Sequence, residues 1–434
     1  MYTKQDIAAL VKTEDVRFIR LQFADITGTV KNVAITVSQL FDALDNKIVF
    51  DGTAIEGFTG IAAEDMYLVP DLNTFAIFPW RPHQGKVARF ICDVYTRDGK
   101  PFECDSRNVL KKVIAEATEM GYEFKVGPEC EFFLFNTDDE GKPTTVPNDM
   151  GGYFDVAPID NGENCRREIV LTMEEMGYEA LASFHEKSPG QHEVDFQYTD
   201  ALMAADWLLT FKMLVKTVAK RNGLHATFMP KPLAGMQGSG MHLNMMLERN
   251  SMPVFTDELN DETKSFIAGI MHYIPEICCL TNPTVNSYKR LVCGYDAPSR
   301  IAWSRENKNL LIRVPRSNSS VVELCSPDAT ANPYLAIAAC LAAGLEGIKK
   351  NMQLPESVDV YPETLSNEEM EKMGIEEMPI NLFYAVRNAK KSDFLKNLLG
   401  EKLFKIYIKA KEMEYDAYRA EISKWEIEKY LIKY

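Results

Sequence analysis

Membrane-length apolar runs, CxxC pairs and phosphate-binding loops are all missing from this chain of 434 residues. Its longest apolar runs fall well short of the ~20 residues that a bilayer-crossing helix requires, so no membrane partner is expected. Nine cysteines are scattered along the chain, and only Cys278 and Cys279 are adjacent. An odd number cannot pair completely, so reduced thiols and a cytoplasmic location are expected. The first residues, MYTKQDIAALVKTEDV, are charged from the start and contain no apolar signal segment. There is no Walker A motif, and the glycines of GMQGSGMH do not follow the dinucleotide fingerprint. Basic residues are in deficit: 48 Lys and Arg against 63 Asp and Glu give a formal net charge of −15. That balance disfavours a phosphate backbone, and no nucleic-acid partner is expected.

What is present is an ordinary globular composition, 46% apolar and 26% charged, in a chain long enough for two or three domains. Thr3 predicts the N-cap of a helix to about Lys12. VRFIRLQFADITGTVKNVAITV alternates around DITG and predicts a β-hairpin. FAIFPW and KVARFICDVY read as strands, so residues 1 to about 100 are mostly β. Longer helices follow, beginning at SRNVLKKVIAEATEMGY with Ser106 as the expected cap. Between helices lie strand-like segments: FKVGPECEFFLF, the two flanks of SPG, LHATFMPKPL, GSGMHLNMML, LLIRVP and SVVELCS. From Asn332 the chain is mainly helical. The layout predicts an α+β protein with an N-terminal β domain and a larger antiparallel-sheet domain.

The chemistry lies in acids on strands. Glu129 and Glu131 are two apart and face the same side of a strand. Glu186 and Glu193 flank the SPG turn, His242 and Asn244 share a face, and Glu323 stands alone in VVELCS. Like charges on a half-buried face repel and cannot all ionise without a cation. Five carboxylates and one imidazole suit two hard divalent cations such as Mg²⁺ or Mn²⁺. Taken singly, each acid reads more often as a solvent-facing side chain, and His242 as a satisfied core histidine. The constellation carries the argument.

The motifs FDGTAIEGF, GPECEFFLF, GGYFDVAPID, HEKSPGQHEVDF, HATFMPKPL, GSGMH, NPTVNSYKRLV, GYDAP and ANPYLA resemble, in order, those of type I bacterial glutamine synthetases of the shorter, non-adenylylated form. The resemblance implies a β-grasp-like domain over residues 1–103. It implies a catalytic α+β domain over 104–434, with an antiparallel half-barrel sheet, flanking helices and a C-terminal helical segment. It also implies a homo-oligomer, a dodecamer of two stacked hexamers with active sites between subunits, acting on ATP, glutamate and ammonia with two or more Mg²⁺ or Mn²⁺ per site. Matched by motif, Glu131, Glu186 and Glu193 would hold one metal, and Glu129, His242 and Glu323 the other. Asp51 matches the acid that deprotonates ammonium, with Tyr153 beside it. Arg290, Gly238 and Gln237 match substrate contacts. Arg313 and Lys308 match nucleotide or phosphoryl contacts, and Asp296 a flap acid.

This chain also departs from the family pattern. Val321 and Cys325 replace two arginines that flank the metal carboxylate. Leu181, Phe184 and Met246 replace polar residues, Lys308 replaces Arg, Gln237 replaces Asn, Ala54 replaces Ser, and Asp296 replaces Glu. Gly60 stands where a basic residue is common, and the segment around Tyr361 does not match an adenylylation loop. Three readings follow: a glutamate–ammonia ligase, a related ligase for another acid or amine, or a non-catalytic oligomer serving as scaffold, sensor or partner of an active synthetase paralogue or a regulator.

Overall fold

The computed structural model describes residues 2–434 apart from 56, 58–64, 82–83, 257–258, 308, 319 and 362–363. Lys308 and Gly60 therefore lie outside the described residues. The first helix spans Lys4–Thr13. Thr3 Oγ1 accepts from the Asp6 amide at 3.2 Å while Asp6 Oδ2 accepts from the Thr3 amide at 2.8 Å, a reciprocal capping box. The hairpin follows as β1 (Val16–Ala24) and β2 (Val30–Thr36). Asp25 sets its turn by accepting from the amides of Thr27 and Thr29, both at 2.9 Å. Gly28 completes it at φ +81°, a conformation that other residues rarely adopt. With β3 (Val49–Phe50), β4 (Met66–Ile77) and β5 (Lys86–Tyr95), these strands form a sheet of order β2-β1-β5-β4-β3. Only β1 and β5 run parallel.

The larger sheet has eleven strands built about β6 (Glu123–Thr137). Its main path runs from β8 (Ala180–His185) and β9 (Gln191–Phe196) through β6 to β12 (Met241–Arg249). It continues through β17 (Val322–Leu324) and β16 (Ile312–Arg313) to β15 (Trp303–Ser304). Strands β7 (Pro143–Pro147), β10 (Thr199–Asp200) and β11 (Leu224–Thr227) pair with β6, and β13 (Met252–Pro253) pairs with β12. A separate two-stranded sheet joins β14 (Arg300–Ile301) to β18 (Glu376–Glu377). The sheet is antiparallel along β6, β9 and β12, but β15 and β16 pair parallel.

Two local expectations change. LLIRVP and SVVELCS yield only two- and three-residue strands. Pro315 and Pro327 follow these segments, and neither can donate to a ladder. The helix Ser106–Glu119 is capped by Asp105 rather than Ser106. Asp105 Oδ1 accepts from the Arg107 amide at 3.0 Å, and its other oxygen takes the Val94 amide at 2.9 Å, so one carboxylate ends a strand and starts a helix.

The helices Asp261–Thr281 and Pro333–Lys349 pack closely behind the sheet. Their glycines permit it: a Cβ on Gly269 would lie 2.8 Å from the Gly347 Cα. Among the described residues, no helix is long and apolar enough to cross a membrane.

Arg107 ties the two sheets together. It is 2% exposed and donates to Asp206 through two nitrogens at 3.0 and 2.8 Å, to Asp93 at 2.7 Å and to Asp71 at 2.9 Å. Asp71 and Asp93 belong to the N-terminal sheet, and Asp206 to the helix Ala201–Arg221 behind β6. A guanidinium can serve all three because its donors form a rigid planar fork. Arg107→Met removes the paired cation of Asp71 and Asp206 and leaves Asp93 with Lys111 alone. It is expected to lower unfolding free energy by about 3–5 kcal/mol in chemical denaturation, and unchanged stability would contradict the role given to this network.

Candidate active site

Register on β6 builds the site. Glu129 lies opposite His242 on β12 and Asp195 on β9, while Glu131 lies opposite Glu193 on β9. Asn244 is opposite Glu323 on β17, and Glu323 is opposite Arg313 on β16. The alternation of Glu129 and Glu131 thus delivers both to one face, where β9, β12 and β17 bring further ligand-type side chains. Glu129, Glu131, Glu186, Glu193, Asp195, His242 and Arg313 line a cavity of about 340 Å³, and the enclosed Glu323 is not on its wall.

The groups differ in how they are neutralised. Glu129 accepts from Asn244 at 2.8 Å and lies 3.1 Å from His242 Nδ1. Burial alone would raise its pKa, but His242, Asn244 and the Arg313 charge hold it down to about 2. The same His242 nitrogen is 3.2 Å from Glu323 Oε1. Burial opposes the imidazolium, but the two carboxylates outweigh it and push His242 up to about 10. Arg313 Nε donates to the other oxygen of Glu323, which is 1% exposed. Glu323 is therefore paired on both sides by protein cations.

Among the described residues, no cation forms an ion pair with the carboxylates of the other half. Burial and then the Glu186 charge raise Glu131. Burial followed by Glu131 and Glu129 raises Glu193 well above the carboxylate range. Asp195 is pushed up to about 7 by burial and by Glu129. Glu131 is further held by Gln191, whose Nε2 donates to it at 2.7 Å and to the Gly238 carbonyl at 3.1 Å. These buried oxygens fit a divalent cation: one donor atom each from Glu129, Glu193 and Asp195 lies within 4.8 Å of the others, and the same holds for His242, Glu323 and Cys325.

The remaining expected residues fall in several places. Glu193 is opposite Phe184 in backbone register, while Glu186, just beyond β8, meets Glu193 through its side chain and lines the same cavity. Tyr153, half-exposed, stacks on Phe154 with ring centroids 4.0 Å apart, and Phe184 meets both edge-on. Asp296 adopts φ +48° and accepts from Lys187 at 2.7 Å and from Gln237 at 3.3 Å at the cavity mouth. Gly238 packs against the Pro230 carbonyl and Arg290, leaving no room for a side chain. Arg290, 2% exposed, donates to the carbonyls of Ser326 at 2.8 Å, Pro327 at 3.2 Å and Cys325 at 3.1 Å, behind the cavity rather than on its wall. Asp51 lies outside this wall, on the N-terminal unit, where its Oδ1 accepts from the Thr53 amide at 2.8 Å.

Sequence reading passed over Asp195, Gln191 and Lys187. Asp195 had a usable signal, because it stands two residues after Glu193 and so shares its face. Gln191 carried the same signal, two residues before Glu193, whereas Lys187 had none, since its partner comes from the distant loop of Asp296. Nearby, Asp149, Asp160, His185 and His192 also come together, but Arg166 already donates to His192 at 2.8 Å and pairs with Asp160 at 2.8 Å. That cluster supports the hairpin from behind.

Against this geometry, the family model for the glutamine synthetase catalytic domain matches residues 103–430, and that for the glutamine synthetase β-grasp domain matches 15–97. The chain belongs to the glutamine synthetase family. It is 52% identical over 440 residues to a glutamine synthetase of Clostridium saccharobutylicum, covering 100% of this chain and 99% of the relative. It is 49% identical over 441 residues to one from Staphylococcus aureus strain Mu50, with the same coverage. Among solved structures it is similar to a GmaS–ADP complex at TM-score 0.90 and 30% identity, covering 98% of this chain and 99% of that one. The Plasmodium falciparum glutamine synthetase shares the fold at TM-score 0.87 and 23% identity, over 99% of each chain. Glutamine synthetases use ATP and divalent metal, which agrees with the hard-oxygen character of the donors.

Two outcomes test the site. Metal must displace protons from Asp195 and His242, whose pKa values are pushed up to about 7 and about 10, so acid competes with it. Calorimetry of Mn²⁺ binding in buffers of different ionisation enthalpy is expected to show proton release, with affinity falling from about pH 8 to about pH 6. Proton uptake would reverse the assignment. Asp195→Asn is expected to weaken Mn²⁺ about 10–100-fold with the fold intact by circular dichroism; an unchanged affinity would remove Asp195 from the site.

Proposed function

We propose that the chain is an ATP-dependent ligase that joins glutamate and ammonia to give glutamine through a γ-glutamyl phosphate. The observation that carries this reading is the full-length 52% identity to a glutamine synthetase, combined with the convergence of Glu129, Glu131, Glu186, Glu193 and His242 on one cavity, with Glu323 paired to His242 and Arg313 beside it. In this reading Glu131, Glu186 and Glu193 hold one cation, and Glu129, His242 and Glu323 a second, with Mg²⁺ or Mn²⁺ as the hard divalent ions that fit. Bound there, the cations would offset charge on the transferring phosphoryl group. Arg313 adds a fixed guanidinium beside Glu323, and Lys308 is assigned to the nucleotide by motif alone. Arg290 would act on the glutamate side by fixing the turn 325–327, while Gly238 and Gln237 keep the backbone close enough for substrate to approach.

Asp51 is the acid assigned to ammonium in the same reading. It lies off the walls of its own carboxylate cavity, which supports a site completed by a neighbouring copy. Tyr153 and Asp296, the latter anchored by Lys187, would close the mouth. The exposed apolar residues Trp425, Leu431 and Ile432 near the C-terminus support assembly, here taken as two stacked hexamers. A division at 1–103 and 104–434 and a cytoplasmic location belong to the same reading.

One observation favours a second reading. Val321 and Cys325 are each 1% exposed on the strand face of Glu323, so two guanidiniums of the family pattern are replaced by buried apolar atoms. Loss of such donors favours a ligase for a different acid or amine, or a metal-holding oligomer without turnover.

Phosphate release with ATP, glutamate, ammonium and Mn²⁺ or Mg²⁺ decides among them. Glutamate-dependent turnover is expected, with Glu131→Gln about 10²–10³-fold slower. ATP binding without glutamate-dependent turnover would move the substrate to another acid or amine. An assembled oligomer with neither binding nor turnover would overturn the ligase reading.

A further inference from the structure

A second cavity, of about 1030 Å³, lies away from the carboxylates, between the N-terminal sheet and the catalytic unit. Its walls come from β1, β2 and their turn, the helix Ala201–Arg221, and the helix Glu401–Ala420. The chain carries fifteen more acids than bases (63 less 48), yet among the described residues no Asp or Glu lines this cavity while seven Lys and Arg do. Three of the seven are already matched from outside the wall: Lys31 with Asp25 at 3.3 Å, Arg221 with Glu168 at 3.3 Å, and Lys411 with Glu414 at 2.8 Å.

The other four have no carboxylate partner among the described residues. Lys212, Lys216 and Lys220 are spaced four apart and so form one stripe along the helix. Like charges at that spacing repel, so the arrangement costs stability when nothing negative lies against it. The C-terminal helix dipole accounts for Lys220 in the last turn but not for Lys212 or Lys216 in the interior. Lys212 is half-buried and donates only to the Ala331 carbonyl, at 3.0 Å. Burial lowers it to about 8. Across the cavity, Arg20 keeps a buried Nε without a hydrogen-bond partner. Below the cations the floor is apolar, with Met213 and Phe228, and the Lys216 Nζ sits 5.9 Å from the Phe228 ring centre.

We propose that this cavity binds a small organic molecule carrying two or more adjacent anionic groups, of the di- or triphosphate type. Its charges lie along the lysine stripe toward Arg20, and its uncharged body lies on Met213 and Phe228. Clustered ammonium and guanidinium groups with no acid between them match such a ligand, and an apolar floor sets it apart from free inorganic anions. The cavity spans both units of the chain, so an occupant would bridge them at a place separate from the metal-ligand face.

The test is calorimetry on the full-length protein with EDTA present, which removes metal-dependent binding at the carboxylate site. Tripolyphosphate, ADP and citrate are the probes. Saturable binding near one per chain is expected, weaker at higher salt, and reduced about tenfold or more by Lys216→Glu/Lys220→Glu. Both lysines are exposed, so this variant is expected to fold, with circular dichroism as the check. Glu323→Gln is expected to leave the binding in place. Tighter ADP than tripolyphosphate would support the apolar floor, and citrate alone would assign the charges to carboxylates. Two results overturn the proposal: no saturable binding of any probe, or equal binding by the lysine variant. A lysine variant that loses oligomer size by light scattering while no probe binds the parent protein would also overturn it, assigning the cavity to contact between copies.

Discussion

Repulsion among carboxylates held at fixed register is the constraint on which the site depends. Strand β6 runs between β9 and β12, and its hydrogen bonds leave Glu129, Glu131, Glu193 and Asp195 no freedom to move apart. Burial then makes each unpaired charge expensive. The protein resolves this in two ways. At Glu129 and Glu323 it supplies cations of its own, His242 and Arg313. At Glu131, Glu193 and Asp195 it supplies no paired cation among the described residues, and burial and mutual repulsion raise their pKa values. A divalent cation is the natural partner of the second half.

The same asymmetry explains how Glu323 persists without the flanking arginines of the family pattern. A buried carboxylate between Val321 and Cys325 would be untenable alone. The parallel entry of β15 beside β16 places Arg313 directly across from Glu323, and the histidine of β12 reaches its other oxygen. Stability of the carboxylate is thereby secured by residues distant in sequence. Among the described residues one guanidinium, that of Arg313, pairs with Glu323.

Scaffold and site are coupled through a small number of buried ionic joints. Arg107 fastens the N-terminal sheet to the helix that backs β6, and Arg166 braces the hairpin that carries Glu193. Both are nearly enclosed, so each acts as a fixed spacer rather than a surface pair. The lysine stripe on Ala201–Arg221 sits on the opposite side of that same helix system, where the chain leaves positive charge unmatched.

Much of this was legible in the residues alone. The capping box at Thr3, the DITG hairpin and the long helix Ala201–Arg221 follow from local rules that need no tertiary partner. The shared face of Glu129 and Glu131 follows from the two-residue period of a strand. What tertiary structure decided was pairing. Asp105 displaced Ser106 as cap because it also had a strand amide to satisfy, and prolines cut the strands around Arg313 and Glu323 short. Glu193 came opposite Phe184 and Glu131 in register while its side chain met Glu186, and seven scattered basic residues converged on one cavity. Local sequence sets periodicity and caps because those depend on neighbours in the chain. Which charge faces which depends on strand register and packing, and those are fixed only when distant segments meet.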